Sequence, residues 1–375
     1  MARRIAAVVL ASALVVAGAQ DAAAAVSGPG DAGVPFWVDV SHLDLVSDSG
    51  IAVGTYQGAI SLFRSGSRVS LGSTADVQVN DINATGTSTG RVSYRATTWS
   101  PTGAATTIPN PPGATATEGV DVNDSGDVLV STNQGRPFSN GAAIWHAGAL
   151  TPLRYGDTPI QAVAMNGGGQ SIAVTDSADF QAPREALRCT LAGTCAALPM
   201  PVGAGLVAVH AINDAGTVVG TVTFDGFVRG VAWDAANQLN VLPPLPGHAW
   251  TNVATIRHAV NTPGDIIGYS DATPVVWRAG VPTALPAGGR TLSISDQNDR
   301  GDVVGSTPNA AGEPRPFVIS RGTTFTELGT LFLLPRGQVK AISASGLAVG
   351  TSWFSVSFFP GAGVSNLRAT TWRVS

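Results

Sequence analysis

Charge is scarce in this chain. Only 12% of its 375 residues are Asp, Glu, Lys or Arg, about half the share usual for a soluble domain. No basic run or patch occurs, which argues against nucleic acid as a partner. Beyond Ala25 no stretch is long and apolar enough to cross a membrane as a helix. The nucleophile elbow Gly-x-Ser-x-Gly, the zinc motif His-Glu-x-x-His and the P-loop are all missing. Plentiful Gly, with 45 residues, alongside many Thr, Ser and Val, suits a protein of strands and turns.

Residues 1–25 read as a secretory signal peptide and 26–375 as one domain. Arg3 and Arg4 precede an apolar, Ala-rich run from Ile5 to Ala19, too short to span a bilayer. Cleavage is expected after Ala19 or after Ala25. Removing 1–25 takes two Arg and one Asp from 21 basic and 25 acidic residues, leaving 19 and 24, a net charge of −5. The expected location is secreted, extracellular or periplasmic. The only two cysteines, Cys189 and Cys195 in "CTLAGTC", face each other across a tight turn. Export makes a structural disulfide feasible there.

A unit built on Asn-x-x-Gly recurs eight times. The copies are "LVSDSGIAVG" (45–54), "INATGTSTG" (82–90), "VNDSGDVLV" (122–130), "MNGGGQSIA" (165–173), "INDAGTVVG" (212–220), "VNTPGDIIG" (260–268), "QNDRGDVVG" (297–305) and "ISASGLAVG" (342–350). Their anchor glycines are Gly50, Gly86, Gly126, Gly169, Gly216, Gly264, Gly301 and Gly346, a nearly even spacing. Ser47 and Ser343 replace the Asn in two copies. Asn or Ser can bond its own backbone two residues on, and Gly takes the positive φ that a side chain resists. β-branched runs on both sides make this a hairpin of two strands, a and b.

A second pair follows. Strand c ends in a large residue: Phe63, Trp99, Trp145, Trp233, Trp277 or Trp372, with Cys189 and Ile319 in the fourth and seventh copies. A short strand d ends near Leu or Ile. Four strands per repeat, eight times over, predict an all-β fold: a β-propeller of eight four-stranded blades, with seven blades as the fallback. The repeated Trp is expected to fill the wedge between blades. The last copy lacks strand d, and "PFWVDV" (35–40) is expected to supply it, joining the chain ends and removing an open edge.

The pattern "IN..G.VVG", then an apolar strand ending in Trp, then Gly and Leu, resembles the extracellular HAF-repeat family over nearly all of residues 26–375. The His-Ala-Phe triplet is degraded to "RATTW", "GAAIW", "GVAW" and "RPFVI". The resemblance implies export and repeats; it implies no activity and no catalytic residues.

In such a ring the a–b and c–d turns share one face, and the b–c and d–a connections share the other. The intervals Gly50 to Phe63, Gly86 to Trp99 and Gly264 to Trp277 are equal. Those from Gly126 to Trp145, Gly169 to Cys189 and Gly346 to Trp372 are longer, so copies three, four and eight carry extended b–c loops. Variable loops on one face of a rigid ring are where repeat proteins bind. The candidates there are Arg136, Asp179, Arg184, Asp225, Arg229, His248, Trp250 and Trp353. His210 and His258 share the position three before the Asn, and neighbouring imidazoles could hold a metal, act as acid and base, or simply pack. "DVNDSGD" offers Asp121, Asn123, Ser125 and Asp127 as a weak Ca²⁺ loop; otherwise no cofactor is expected. The expected function is a binding or scaffold module for a surface polysaccharide or a secreted or envelope protein, as a monomer. An enzyme, lyase or hydrolase, with its site at the axial mouth is the alternative; a purely structural envelope protein is another. An enzyme would need ionisable groups from several blades converging in one pocket.

Overall fold

The computed structural model describes residues 30–31, 41–64, 67–133, 140–176, 184–359 and 362–374. They form eight four-stranded antiparallel sheets and, among the described residues, no helix. Each sheet runs a–b–c–d outward from the axis. Blade 5 is typical: Gly205–Ile212, Val218–Phe224, Phe227–Trp233 and Leu239–Val241. Blade 8 pairs Arg336–Ile342, Leu347–Phe359 and Ala362–Arg373, and its outer strand comes from the other end of the chain.

That outer strand is Gly30–Asp31, which pairs with Thr371 and Thr370. The ring is therefore closed by the N-terminal segment, as expected, but with residues ahead of 35–40; the latter lie outside the described residues. Outer strands are short and exposed, as Ala105–Thr107 shows, so they carry no apolar pattern to betray them.

Strands b and c are buried between neighbouring blades. Their runs are therefore nearly continuous in Val, Ile and Ala rather than alternating. Trp99, Trp233, Trp277 and Trp372 are all buried. Three of them donate Nε1–H across the wedge to the chain leaving the preceding blade: Trp233 to Pro199, Trp277 to Pro243 and Trp372 to Gly329. Trp233 packs in one cluster with Ile172, Ala186 and Leu198 of blade 4. In blade 4 itself the Trp position is Cys189, which forms a disulfide with Cys195 opposite it on strand d.

Most inner strands carry a β-bulge just before the turn, with Asp44, Asn80, Val120, Val163, His210, Ser295 and Lys340 as the extra residues. The bulge explains the final Gly of the motif. A Cβ on Gly220 would lie 2.6 Å from the carbonyl oxygen of Ala208 on the bulged strand, closer than packing allows.

The recurring asparagine joins two blades at once. Asn213 Oδ1 accepts the backbone N–H of Thr217 in its own turn at 2.7 Å, while its Nδ2 donates to the Asn261 carbonyl of the next blade at 2.7 Å. The same pair of bonds recurs from Asn83, Asn166, Asn261 and Asn298, and from Asn123 with Gly167 as the far partner. The side chains of Ser47 and Ser343 bond only within their own turns. They sit in blades 1 and 8, where the strand exchange closes the ring and Ser41 Oγ accepts the Ala369 N–H.

Replacing Asn213 by Ala strands a buried carbonyl and an amide, and each such loss costs about 1–3 kcal/mol. We expect Asn213→Ala to lower the denaturation midpoint accordingly. Asn213→Ser, which keeps only the local bond, should fall between. Equal losses for Ser and Ala would show that the inter-blade bond, not the turn, carries the effect; no loss for either would remove the staple.

Candidate functional site at the axial funnel

Turns of all eight blades surround a cavity of about 420 Å³ on the axis, at the a–b turn face. Its mouth is set by the residue after each turn Asn or Ser. Blades 1, 3, 5 and 7 place Asp there (Asp48, Asp124, Asp214, Asp299), and the even blades place Ala84, Gly167, Thr262 and Ala344. Each Asp accepts through Oδ1 the backbone N–H of the preceding blade: Ala344, Ala84, Gly167 and Thr262, at 2.5 to 2.9 Å. The carboxylates thus pin the turns in pairs and form a four-fold acidic rim.

The floor comes from an irregularity in blade 6. Its inner strand is only Thr251–Val253. Ala254 donates to Ile267, Ile267 donates back to Ala259, and the chain between them leaves the sheet. Where other blades insert one bulge residue, blade 6 inserts 254–258. This excursion carries Arg257 across the axis to blade 2, the blade facing blade 6 in an eight-membered ring. There Arg257 Nη2 pairs with Asp81 and lies 3.4 Å from the Ile82 carbonyl oxygen. The funnel is therefore closed below by a side chain spanning its diameter.

Three Asp share the position two before the turn Asn. Asp81 accepts the N–H of Ile82 and of Val122 in the next blade. Asp296 accepts from Gln297 and from Ile342 of the next blade, and bonds His258 Nδ1 at 2.7 Å. Asp121 accepts Met165 N–H through Oδ2 and also draws on the adjacent Val122 N–H; its Oδ1 lies 3.9 Å from Arg257 Nη2. Burial pushes the Asp121 carboxyl up to about 6, against the pull of the Met165 N–H and the His258 charge. Burial also draws the Arg257 guanidinium down to about 10, opposed by Asp296, so it stays charged at neutral pH. His210, bonded to Thr221 Oγ1, is held below its ordinary value by burial.

The residues expected to bind fall elsewhere. Arg136 and Asp179 lie outside the described residues. Arg184 is exposed beside strand c of blade 4, Asp225 occupies the b–c turn of blade 5, and Trp353 lies on the long strand b of blade 8 opposite Arg336. Three candidates do meet between blades 5 and 6, on the face opposite the funnel. Arg229 stacks 4.9 Å over Phe227 and donates to the Ala249 carbonyl. His248 Nδ1 bonds Ser270 at 2.9 Å, and Trp250 is 37% exposed beside them. Asp271 accepts the Trp250 and Ala249 N–H groups, which hold its carboxyl below the usual range.

The Asp121–Asp127 loop does not converge on a cation. Asp121 faces the axis, Asn123 binds blade 4, and Asp127 bonds Asn123 Nδ2 and His146 Nδ1. Ser125 is exposed. Among the described residues no three His, Cys, Asp or Glu groups gather as a metal site would require. His258 does not repeat the place of His210, because the excursion separates it from its own inner strand. That insertion left one trace in the sequence: the interval from Gly216 to Gly264 is the longest between successive anchor glycines.

No family model matches this sequence, and no curated protein matches it. Solved structures match in fold. Prolyl oligopeptidase B from Galerina marginata is 8% identical, with a TM-score of 0.52 over 89% of this chain and 55% of that one. A puromycin-hydrolyzing peptidase of Mycobacterium tuberculosis is 13% identical, with a TM-score of 0.51 over 85% of this chain and 58% of that one. A streptogramin B lyase is 12% identical over 93% of this chain and 98% of that one, with a TM-score of 0.44. This chain spans little more than half the length of either peptidase. At such identities the likeness shows a β-propeller and nothing about chemistry.

Asp121 binds its proton more tightly in the folded state than in the unfolded one, where its carboxyl returns to about 3.9. Folded protein then holds more protons between pH 4 and 6, and stability falls as pH rises through that window. Asp121→Asn should therefore be more stable than the parent at pH 7.5, by on the order of 2 kcal/mol. The gain should vanish near pH 3.5. Denaturation curves at the two pH values test this; a pH-independent difference would contradict it.

Proposed function

We propose that this chain is an exported binding module whose ligand enters the axial funnel from the a–b turn face. The observation that carries the reading is the funnel itself: a concave site built from all eight blades, rimmed by carboxylates and closed by Arg257. Its size lies within the range of small-molecule sites, enough for a compact group or the end of a glycan chain. Export rests on the character of residues 1–25 and agrees with the Cys189–Cys195 disulfide. The HAF-repeat resemblance rests on its motifs and points the same way.

A second reading has one specific observation in its favour. Ionisable groups from blades 2, 3, 6 and 7 (Asp81, Asp121, Arg257 with His258, and Asp296) meet at the floor. A His held by a carboxylate, next to a carboxyl that titrates near neutrality, is the arrangement acid–base chemistry uses. In that reading His258 is the base, positioned by Asp296, and its replacement by Asn would abolish turnover of any substrate the funnel accepts.

The binding reading is tested by thermal melts against a glycan panel. A ligand at about 100 times its Kd adds roughly 2.7 kcal/mol to the folded state. Thr262 is exposed at the mouth and lends only its backbone to the rim, so Thr262→Trp should block the funnel and erase the shift without unfolding the protein. Trp250→Ala should leave the shift intact. The reverse pattern would move the site to the opposite face, to Arg229, His248 and Trp250.

A further inference from the structure

We infer that the funnel takes its ligand through a protonated amine, with the Asp121 carboxylate as counter-ion. This rests on the reading of the funnel as a ligand site. Most of the floor groups are already engaged. Arg257 is committed to Asp81, and His258 to Asp296. Asp81 and Asp296 also accept backbone N–H groups through both oxygens. Asp121 Oδ2 is taken by Met165 N–H and the carboxylate also draws on the neighbouring Val122 N–H, but no cation is in contact with it; Arg257 Nη2 is 3.9 Å from Oδ1. Asp121 lines the cavity with 14% of its side chain exposed. Of the three floor carboxylates it is the one whose nearest cation stands off, at 3.9 Å.

The surroundings specify what should meet it. Val120 and Val163, the bulge residues of blades 3 and 4, line the axis half-buried on the same side. Met165 and Ile212 continue the apolar wall. Among the described residues, six carboxylates line the cavity against a single guanidinium, and burial keeps His210 from adding a second cation at neutral pH. An anion would enter against that field, whereas a cation is drawn in by it. A divalent metal needs several oxygens in one shell, and among the described residues no three His, Cys, Asp or Glu side chains gather to supply them. An ammonium on a hydrocarbon body uses what is present: N–H groups for Oδ1, apolar surface for the valines, and positive charge for the rim.

Protonation of Asp121 should oppose binding. The groups facing it are Arg257 and His258 on the excursion of blade 6, Asp81 on blade 2 and the Met165 N–H of blade 4. Once Asp121 is neutral, the Arg257 guanidinium faces the ligand without an opposing charge from Asp121, which disfavours an ammonium. Amine affinity should therefore fall as pH drops from 7.5 to 5.

Cyclohexylamine and its neutral isostere cyclohexanol are the probes, titrated into the full chain and followed by ligand-observed NMR. The amine should bind at pH 7.5 at least ten-fold more tightly than the alcohol. Asp121→Asn keeps an acceptor for Met165 N–H and should weaken the amine ten-fold or more. Asp225→Asn, in the b–c turn on the face opposite the funnel, should change it less than three-fold. Equal affinity for amine and alcohol, or an unchanged Kd in Asp121→Asn, would overturn the inference. So would failure of both probes to bind. If Thr262→Trp nonetheless abolishes a glycan-induced shift, the funnel remains a binding site and only the amine assignment falls. If the glycan shift survives Thr262→Trp, the funnel reading falls with it.

Discussion

Everything at the axis depends on one side chain used six times. A turn asparagine accepts its own backbone N–H and donates to the next blade, so the geometry of each hairpin and the angle between blades are set together. A serine can make the first bond but cannot reach for the second, and it is tolerated only in blades 1 and 8. The seam from blade 8 to blade 1 is held instead by exchange of a strand, and that from blade 1 to blade 2 by the Ser49 N–H, which donates to the Ala84 carbonyl. The ring closure and the asparagine ring are thus complementary ways of resisting the same failure, which is blades parting near the axis.

Once the turns are fixed, their next residues become a rim, and alternation of Asp with a small residue or Thr makes that rim both structural and acidic. The charge-poor composition gives this weight. In a chain with few ionisable groups, Asp48, Asp124, Asp214 and Asp299 stand at one mouth while Asp81, Asp121, Asp296, Arg257 and His258 gather beneath it. Most of these groups are accounted for by the fold, because a buried carboxylate that accepts two N–H groups is well placed in a propeller. Asp121 is the exception: its charge is buried, incompletely paired and costly. Residues that lower stability in this way are candidates for function.

The blades were legible because turn chemistry repeats: Asn or Ser, positive-φ Gly, and β-branched flanks recur eight times, and all eight anchor glycines have positive φ. The wedge role of Trp233 and Trp277 and the Cys189–Cys195 pair followed from the same register. The site was less legible for two physical reasons. Loop length drew attention to the b–c face, where Arg229, His248 and Trp250 do assemble, whereas the funnel is made by turns of constant length. Also, counting back from Asn261 aligned His258 with His210, because an insertion inside a strand leaves motif spacing intact on its near side. The closing strand Gly30–Asp31 has only two residues and offered no apolar signal at all.

Arg257 spans the axis to Asp81 and so turns an open ring into a closed funnel. A double-mutant cycle tests it most directly: Arg257→Gln, Asp81→Asn and the pair together, each measured by chemical denaturation. Residues in contact couple by about 0.5–3 kcal/mol, whereas separated sites add within about 0.5 kcal/mol. A coupling of at least about 1 kcal/mol is expected between these two residues, from blades on opposite sides of the ring. Additive losses would mean that the two do not meet, and that the funnel has no floor.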